Sequence, residues 1–350
     1  MVRVWFNHWF STSYNLIELM KQDDKEQVYV IASNKQIDSV IQKVCDEWYQ
    51  DSLADGEEYI QYCLDFCKEH KVDVFVPRRK MVEISQNIKL FHDIGVKVMV
   101  DEYEIIKLLN DKVAAYDFLK DCEGVNIPAY KMVNTADEFE TAYRELRKEY
   151  DQVCVKFVKD EGAMSYRRII DHVDRFKRLR IYPGAEITYE DYAGALREVD
   201  HFDDLMVMPY LPGREISVDC LKTDKGLIAI PRFKSSARHE RILFDEYIMR
   251  MTSNIMNKIN LEYPCNIQYK LKDNKPYLLE VNTRMSGGLQ MSCEAEKINI
   301  PNIALNKLLG KNIDWSFVKR ECVVSYIEIP QIIIYRNMLN IRTFCIINEF

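Results

Sequence analysis

Residues 277–288 read YLLEVNTRMSGG, the most informative stretch of this chain. It begins as an apolar strand, then carries a carboxylate (Glu280), an amide (Asn282) and a guanidinium (Arg284), and ends in Ser-Gly-Gly. Side chains at alternate positions of a strand share one face, so these three groups are predicted to point the same way. A strand with one face in water shows the same alternation, so the rest of the chain must distinguish the two interpretations.

A second strand, containing CNIQY at 265–269, precedes this stretch and forms the other half of a predicted hairpin. A three-residue loop, 273–275, would set Gln268 opposite Glu280, and opposed residues of a hairpin project to the same face. The amide oxygens of Gln268 and Asn282 and the carboxylate of Glu280 are hard ligands. They suit Mg²⁺ that keeps other positions for water and phosphate. The hairpin is therefore predicted to hold a magnesium site.

Length and charge narrow the class of protein. With 350 residues the chain exceeds the usual size of one domain, so at least two domains are expected. A net charge of −7 opposes an electrostatic nucleic-acid surface. No apolar window reaches the length of a membrane span, and the N-terminal segment lacks a secretory h-region and cleavage site. We therefore expect a cytoplasmic protein that binds neither nucleic acid nor membrane.

Cysteine and glycine usage exclude several kinds of site. None of the ten cysteines forms a C-x-x-C pair, and Cys63 and Cys67 are spaced as neighbours on one helix face. Reduced, mostly buried thiols are expected, and a zinc site is not favoured. The glycine patterns of P-loop and dinucleotide-binding proteins are absent. An oxidoreductase of the NAD type is therefore set aside.

Strands and helices alternate in residues 1–100, which indicates parallel βαβ units in an open Rossmann-like sheet. Such sheets bind ligands at the carboxyl ends of their strands. The predicted strands are 2–6, 27–33, 72–77 and 95–100, and the predicted helices are 11–21, 35–49 and 56–70.

Residues beyond 100 have a different organisation. Helices are predicted over 103–121 and 137–150, and a closing helix has Pro301 in its first turn and Gly310 past its end. Further strands are predicted at 152–158, 226–234, 263–271 and 277–283, and residues 203–221 are predicted to form a strand, a Pro-Gly turn and a second strand. Consecutive strands joined by tight turns indicate antiparallel sheets. The predicted domains are 1–104, 105–205 and 206–325, with a C-terminal tail, 326–350, to which no role is assigned.

Two lysines and one linker are candidates for contacts with a nucleotide. Lys156 lies in the middle of a predicted strand, and Lys112 follows Asp111 at a helix start, where a cation is unfavourable unless an anion is near. Taken singly, each fits a surface lysine better; it is their joint order before the carboxylate strand that favours contacts with phosphate. The linker VMPYLPGRE (207–215) would offer adenine one backbone C=O and one N–H, and the ribose one carboxylate. These groups are Pro209 C=O, Leu211 N–H and Glu215.

Taken in order, these motifs resemble those of the ATP-grasp superfamily, in the branch of the carbamoyl-phosphate synthase large chain. Similarity to the bacterial ATP-grasp proteins associated with tellurite-resistance gene clusters is also noted. The resemblance spans residues 1–312. It is carried by DKVAAYDFLKDCEGVNIPAY (111–130), VCVKFV (153–158), PYLPGREISVD (209–219), CNIQY (265–269), YLLEVNTRMSGG (277–288) and INIPNIALNKLLG (298–310).

The resemblance implies a Rossmann-like pre-ATP-grasp domain followed by a two-lobed ATP-grasp fold, an α/β and α+β architecture. It implies a ligase that uses ATP and two Mg²⁺ ions, replaceable by Mn²⁺, to join a small carboxylate to an amine through an acyl phosphate. A homodimer is left open as its assembly state. The implied nucleotide contacts are Lys112, Lys156, Met208, Pro209, Tyr210, Leu211 and Glu215; the implied metal ligands are Gln268, Glu280 and Asn282; and Arg284 would meet phosphate or substrate.

Several features leave alternatives open. Arg232 and Lys234 are candidates for holding the substrate carboxylate or phosphate, with a solvated basic strand as the other interpretation. The loop after the phosphate lysine is glycine-poor: it contains Gly162 alone, beside Asp160 and Glu161. The hinge begins with a methionine where the family has an acidic residue. The second hypothesis is therefore a non-catalytic nucleotide-binding sensor or scaffold.

Overall fold

The computed structural model divides into two compact units, which we call the N-terminal unit (Met1–Met99, together with the described residues 326–333) and the central unit (Val100–Ser325). The described residues are 1–8, 10–22, 27–159, 164–174, 176, 179–180, 184–235 and 239–333. None of the helices within these ranges is both long and apolar enough to cross a membrane. The described cysteines are all free, and most of them are buried.

The N-terminal unit is built on a parallel sheet, as the alternation of strands and helices predicts. Its strands are β1 (Val2–Phe6), β2 (Val28–Asn34), β3 (Glu47–Gln50), β4 (Val74–Val76) and β5 (Lys97–Val98). Its helices are α1 (Ser13–Lys21), α2 (Gly56–Glu69), α3 (Met81–Gln86) and α4 (Ile88–Asp93). The strand order is β3-β2-β1-β4-β5 and every pairing is parallel, which confirms the Rossmann-like prediction.

The predicted helix over 35–49 is wrong. The segment instead forms a short 3₁₀ helix, Val40–Lys43, followed by strand β3. Trp48 and Tyr49 pair in parallel with Ala32 and Ser33 of β2. Aromatic residues fit a half-buried pleated surface well, so pairing with the sheet outweighs the local helical spacing.

The central unit contains two sheets, and the first is mostly antiparallel. Its strands are β6 (Lys131–Val133), β7 (Val153–Phe157), β8 (Arg167–Ile170), β9 (Glu186–Thr188) and β10 (Leu205–Pro209), in the order β6-β10-β7-β8-β9. Its helices are α5 (Tyr103–Asn110), α6 (Lys112–Leu119), α7 (Ala136–Leu146) and α8 (Tyr189–Leu196). The single helix predicted over 103–121 is divided at Asp111, whose side chain accepts from the N–H groups of Val113 and Ala114 and so begins α6.

The second sheet of the central unit is antiparallel, as predicted. Its strands are β11 (Glu215–Thr223), β12 (Gly226–Lys234), β13 (His239–Ile242), β14 (Cys265–Lys272), β15 (Lys275–Asn282) and β16 (Cys322–Ser325), in the order β15-β14-β11-β12-β13-β16. Its helices are α9 (Glu246–Ile259), α10 (Leu289–Glu296) and α11 (Ile300–Leu308). The predicted closing helix is confirmed as α11, with its proline in the first turn and Gly310 at φ 71° beyond its end.

The hairpin of β14 and β15 reaches its predicted pairing by an unpredicted route. The turn has two residues, Asp273 and Asn274, both with positive φ, so the predicted three-residue loop is wrong. A β-bulge between Gln268 and Tyr269 then shifts the register by one residue. Gln268 therefore does lie opposite Glu280, as predicted.

The two faces of this second sheet have different neighbours. One face packs on the apolar side of α9 in a single buried cluster with residues of α6. That cluster includes Ile216, Val218, Cys220, Met251, Ile255, Met256, Ile267 and Tyr269. Four alternate residues of β11 and β14 project to the opposite face and are polar: Ser217, Asp219, Asn266 and Gln268. Packing of one face of the sheet on α9 therefore holds in place the strands that carry the polar side chains of the other face.

Candidate functional site

A lysine of the first central sheet and a glutamate of the second meet at the candidate site. Lys156 of β7 lies with its Nζ 3.5 Å from Oε2 of Glu280 on β15. Their side chains are 16% and 26% exposed, so both groups are accessible from solvent. The contact joins the two sheets through residues that the sequence assigned to phosphate and to metal.

The polar groups around Glu280 keep it ionised. Asn282 donates from Nδ2 to Glu280 Oε1 at 3.0 Å, and Gln268 lies opposite on β14. Burial raises the pKa of Glu280, but opposing contributions, among them the charge of Lys156 and the hydrogen bond from Asn282, together lower it by more than burial raises it. The pKa of this carboxyl therefore lies below its usual value, and no proton has to be lost before a cation binds at neutral pH.

Two more cations act on the same carboxylate. Lys112 and Arg284 each lower the pKa of Glu280 through their charge. Lys112 is the first residue of α6, and its Nζ donates to the carbonyl of Val158 at 3.0 Å, just beyond β7. One carboxylate thus lies among three basic side chains, an arrangement that suits a polyanion as well as a metal ion.

The predicted adenine segment follows β10. Tyr210 N–H donates to the carbonyl of Gln152 at 2.9 Å, and the carbonyl of Pro209 accepts the Cys154 thiol at 3.7 Å. The guanidinium of Arg168 lies 4.7 Å from the centre of the Tyr210 ring. These contacts hold the start of the segment against β8 and the residue that precedes β7.

The rest of that segment is held by the second sheet. Gly213 N–H donates to the carbonyl of Leu271 at 2.9 Å, and a Cβ at position 213 would collide with that same carbonyl. Only glycine allows this close approach. Glu215, the predicted ribose ligand, begins β11 and forms an ion pair with Lys234 on the adjacent strand. Both side chains of the pair are partly exposed.

Arg232, the other predicted substrate residue, is buried, with only 2% of its surface exposed. Its guanidinium donates to Asp219 and Glu240 and to the hydroxyls of Ser217 and Ser286. The structure therefore places Arg232 in an internal network, and its contact with a substrate stays a prediction.

Gly288 explains part of the Ser-Gly-Gly ending. A Cβ at position 288 would overlap the guanidinium of Arg232, so glycine is needed for the loop after β15 to pass over it. Sequence reasoning did not single out Asp219, Asn266 or Ser286, which surround this guanidinium or its partners. The feature of the sequence that could have revealed this polar network is the placement of Ser217 and Asp219 at alternate positions of a mostly apolar strand.

Among the predicted site residues, the structure brings together one group around Glu280 and leaves the ribose and substrate candidates in separate ion pairs. The group consists of Lys112, Lys156, Gln268, Glu280, Asn282 and Arg284. Asp160, Glu161 and Gly162 of the predicted phosphate loop lie outside the described residues. In the part of the chain that is described, no three His, Cys, Asp or Glu side chains cluster as metal ligands. A cation at Glu280 would thus rely on amide oxygens and on oxygens of its ligand.

Comparison with known proteins adds sequence evidence for one region. Residues 201–330 match the model of the family described as ATP-grasp in the biosynthetic pathway with Ter operon. The chain is 33% identical over 79 residues to the carbamoyl phosphate synthase large chain of Saccharolobus solfataricus. That match covers 22% of this chain and spans 7% of the length of the relative.

Solved structures resemble the fold over most of the chain. The biotin carboxylase domain of Hydrogenobacter thermophilus 2-oxoglutarate carboxylase, in complex with MgADP, ADP and bicarbonate, has a TM-score of 0.66 at 17% identity. It matches 90% of this chain and 71% of its own. The L-amino acid ligase of Bacillus licheniformis has a TM-score of 0.61 at 14% identity, over 88% and 74% of the two chains. The comparisons confirm the predicted resemblance: residues 201–330 are similar to the Ter-operon ATP-grasp family, a 79-residue stretch is similar to a carbamoyl phosphate synthase large chain, and the chain has the fold of these solved structures.

Proposed function

We propose that the chain is an ATP- and Mg²⁺-dependent ligase that activates a substrate carboxylate as an acyl phosphate and transfers the acyl group to an amine. The observation that carries the proposal is the group around Glu280, in which an accessible carboxylate lies 3.5 Å from Lys156 and beside two amides. The likeness to an L-amino acid ligase and to an enzyme domain holding MgADP supports the same chemistry.

The donor set fits magnesium. Glu280 supplies the charged oxygen, and Gln268 and Asn282 supply neutral amide oxygens, which are hard ligands of the kind that Mg²⁺ accepts. So few protein ligands leave positions for phosphate oxygens. Mg²⁺ held by Gln268, Glu280 and Asn282 would neutralise the charge that develops on the phosphates of ATP. We propose two ions, with Mn²⁺ as a substitute that can be followed spectroscopically.

The basic residues divide the remaining work. Lys156 and Lys112 bind the phosphates, and Arg284 meets the transferred phosphoryl group or the substrate carboxylate. Adenine is held by backbone groups between Met208 and Leu211. Glu215 binds the ribose hydroxyls, which requires it to share or release Lys234.

The reaction then needs two displacements. A carboxylate oxygen of the substrate attacks the γ-phosphorus, and the bond from that phosphorus to the bridging oxygen of ADP breaks. The lone pair of an amine next attacks the acyl carbon, inorganic phosphate leaves with the bonding electrons, and the amine loses one proton. Catalysis in the first step is mainly positioning and charge neutralisation, and Lys112, Lys156 and Arg284 would provide both.

Hydroxylamine tests this proposal without knowledge of the natural amine. The protein is incubated with ATP, MgCl₂, hydroxylamine and a panel of small carboxylic acids, and hydroxamate and ADP are measured. We expect at least one acid to give both products in equal amounts, and the Glu280→Gln variant to give neither.

The alternative outcome is equally specific. A chain that binds an ATP analogue but forms no ADP with any carboxylate, with or without an amine, would contradict the ligase proposal. It would favour a non-catalytic nucleotide-binding sensor or scaffold.

A further inference from the structure

A buried polar network lies on the same face of the sheet as the candidate metal site. Its centre is Asp219 of β11, which is 1% exposed and whose carboxylate accepts four hydrogen bonds. The donors to Oδ1 are Asn266 Nδ2 at 2.8 Å and Ser286 Oγ at 2.6 Å; the donors to Oδ2 are Arg232 Nε at 2.9 Å and Ser292 Oγ at 2.6 Å. Each oxygen is fully used, so the carboxylate can accept nothing further and serves to hold its neighbours.

This network fixes which way the Asn266 amide faces. The Nδ2 atom lies 2.8 Å from Asp219 Oδ1, 3.2 Å from the carbonyl of Val218 and 2.9 Å from Ser217 Oγ. A carboxylate and a carbonyl can only accept, so the NH₂ end of Asn266 must face them. The reverse orientation would set the amide oxygen against two acceptors and leave buried groups without hydrogen-bond partners, which is unfavourable.

The orientation of Asn266 sets that of Gln268 in turn. With its NH₂ end committed, Asn266 presents Oδ1 toward Gln268, whose Nε2 donates to it at 3.3 Å. The donor end of the Gln268 amide is therefore used inside the protein. Its Oε1 acceptor is left for a cation beside Glu280, the residue opposite on β15.

We propose that Asp219 and Asn266 are positioning residues for the metal site, because they fix the Gln268 amide with its oxygen available and its nitrogen withheld. This inference rests on the proposed function, in which Gln268 is a magnesium ligand. Residues that orient a metal ligand through hydrogen bonds change metal affinity by about 10- to 100-fold when they are replaced. The network also ties the metal strand to the Ser-Gly-Gly loop through Ser286.

A double-mutant cycle separates positioning from general support of the fold. Binding of Mn²⁺ in the presence of a non-hydrolysable ATP analogue is measured by electron paramagnetic resonance for four proteins: wild type, Asn266→Ala, Gln268→Glu and the double variant. A glutamate at 268 has two equivalent acceptor oxygens and no nitrogen to withhold. We therefore expect Asn266→Ala to weaken Mn²⁺ binding about ten-fold in the wild-type background and less than about two-fold in the Gln268→Glu background.

Matched variants guard against loss of folding. Asn266→Ser leaves a smaller void, and the same coupling is expected if Asn266→Ala is poorly folded by circular dichroism. Ser292→Ala removes one donor from the other oxygen of Asp219 and leaves the Asn266 branch intact. We expect that variant to bind Mn²⁺ within about two-fold of wild type.

The outcomes distinguish this inference from the proposal on which it rests. If Glu280→Gln leaves Mn²⁺ binding unchanged, the metal site is wrong and this inference is wrong with it. If Glu280→Gln weakens binding while replacement of Asn266 has the same effect in both backgrounds, the metal site stands. In that case Asn266 is only structural, and the positioning role is overturned.

Discussion

Two carboxylates of the central unit each lie beside a cation, but their surroundings differ. Asp219 and Arg232 are almost fully buried, with Arg232 Nε 2.9 Å from Asp219 Oδ2, and every oxygen of that carboxylate accepts donors from the protein. Glu280 and Lys156 remain partly exposed, and their closest atoms are 3.5 Å apart. The closed pair holds the sheet and its loop together, whereas the open pair leaves its charges available to a ligand.

The difference follows from the cost of burying charge. An ion pair removed from water is tolerated only when further hydrogen bonds satisfy its remaining donors and acceptors, as the serine hydroxyls do around Asp219. A longer, solvent-accessible pair is worth little to folding. We therefore assign stability, and the orientation of Gln268 through Asn266, to the closed pair, and ligand binding to the open pair.

The largest expected effect is on the closed pair. Asp219→Asn replaces a fully used carboxylate by an amide that cannot accept from all four donors and leaves Arg232 buried without its full partner. We expect the free energy of unfolding to fall by about 3–5 kcal/mol, measured by urea denaturation. Glu280→Gln is the matched carboxylate-to-amide control and is expected to change it by less than about 1 kcal/mol. Equal losses in the two variants would erase the proposed distinction.

The next effect concerns the open pair. Lys156→Ala removes a cation assigned to phosphate, and hydrogen bonds to charged groups are worth about 1.5–3 kcal/mol. We expect binding of a fluorescent ATP analogue to weaken about 10- to 100-fold. Lys131→Ala, on an exposed lysine of the same sheet that pairs with Glu145, is the control and should bind normally. Unchanged binding by Lys156→Ala would contradict the assignment.

A third carboxylate tests the role of compensation. Asp101 is buried, and burial raises its pKa to about 7, although it accepts the N–H of Glu262 at 2.6 Å. Its Oδ2 has no hydrogen-bond partner among the described residues. Because the folded state holds the proton more tightly than the unfolded state, stability is greatest at low pH and is lost as pH rises toward and through 7.

The size of this pH effect is measurable. We expect the free energy of unfolding to fall by about 1.4 kcal/mol more between pH 6 and pH 8 in wild type than in Asp101→Asn. Urea denaturation at the two pH values measures the difference. An identical pH dependence in the two proteins would show that Asp101 titrates normally.

The smallest expected effect is the loss of ligase activity on replacing Asn282, which lies beside the open pair. Asn282→Ala removes a neutral amide that water can replace on Mg²⁺, and one hydrogen bond to Glu280 worth about 0.5–1.5 kcal/mol. We expect ligase activity to fall about three- to ten-fold. Arg284→Lys should lose more, because the planar fork that matches phosphate or carboxylate is gone. The reverse ranking would contradict the roles given to these residues.

Local patterns in the sequence predicted the strand pairing at the open pair. The Gln268–Glu280 pair could be predicted because polar residues alternate along two adjacent strands of one hairpin. The route to that pair could not, since a two-residue turn with a bulge and a three-residue loop give the same pairing. Lys112 and Lys156 lie on other elements; their positions made them candidates, and the resemblance in ordered motifs linked them to the same site.

The closed network could not be predicted in the same way. Asp219 and Arg232 are neighbours because β11 and β12 pair, but Ser286 and Ser292 reach them from a loop and a helix later in the chain. Arg232 therefore appeared as a substrate candidate when only its own strand was considered. The helix predicted over 35–49 failed for a related reason, because the partner strand that overrides its spacing is not visible locally.

The most direct test of the account is the Glu280→Gln variant, examined for Mg²⁺-dependent formation of ADP and hydroxamate and for stability in the same preparation. The change keeps the shape of the side chain but removes the one charged metal ligand, where charge-assisted contacts are about twice as strong as neutral ones. We expect activity at least about 100-fold below wild type, with an unchanged urea midpoint. Full activity would contradict the metal site, and a protein that fails to fold would show that Glu280, like Asp219, serves the structure.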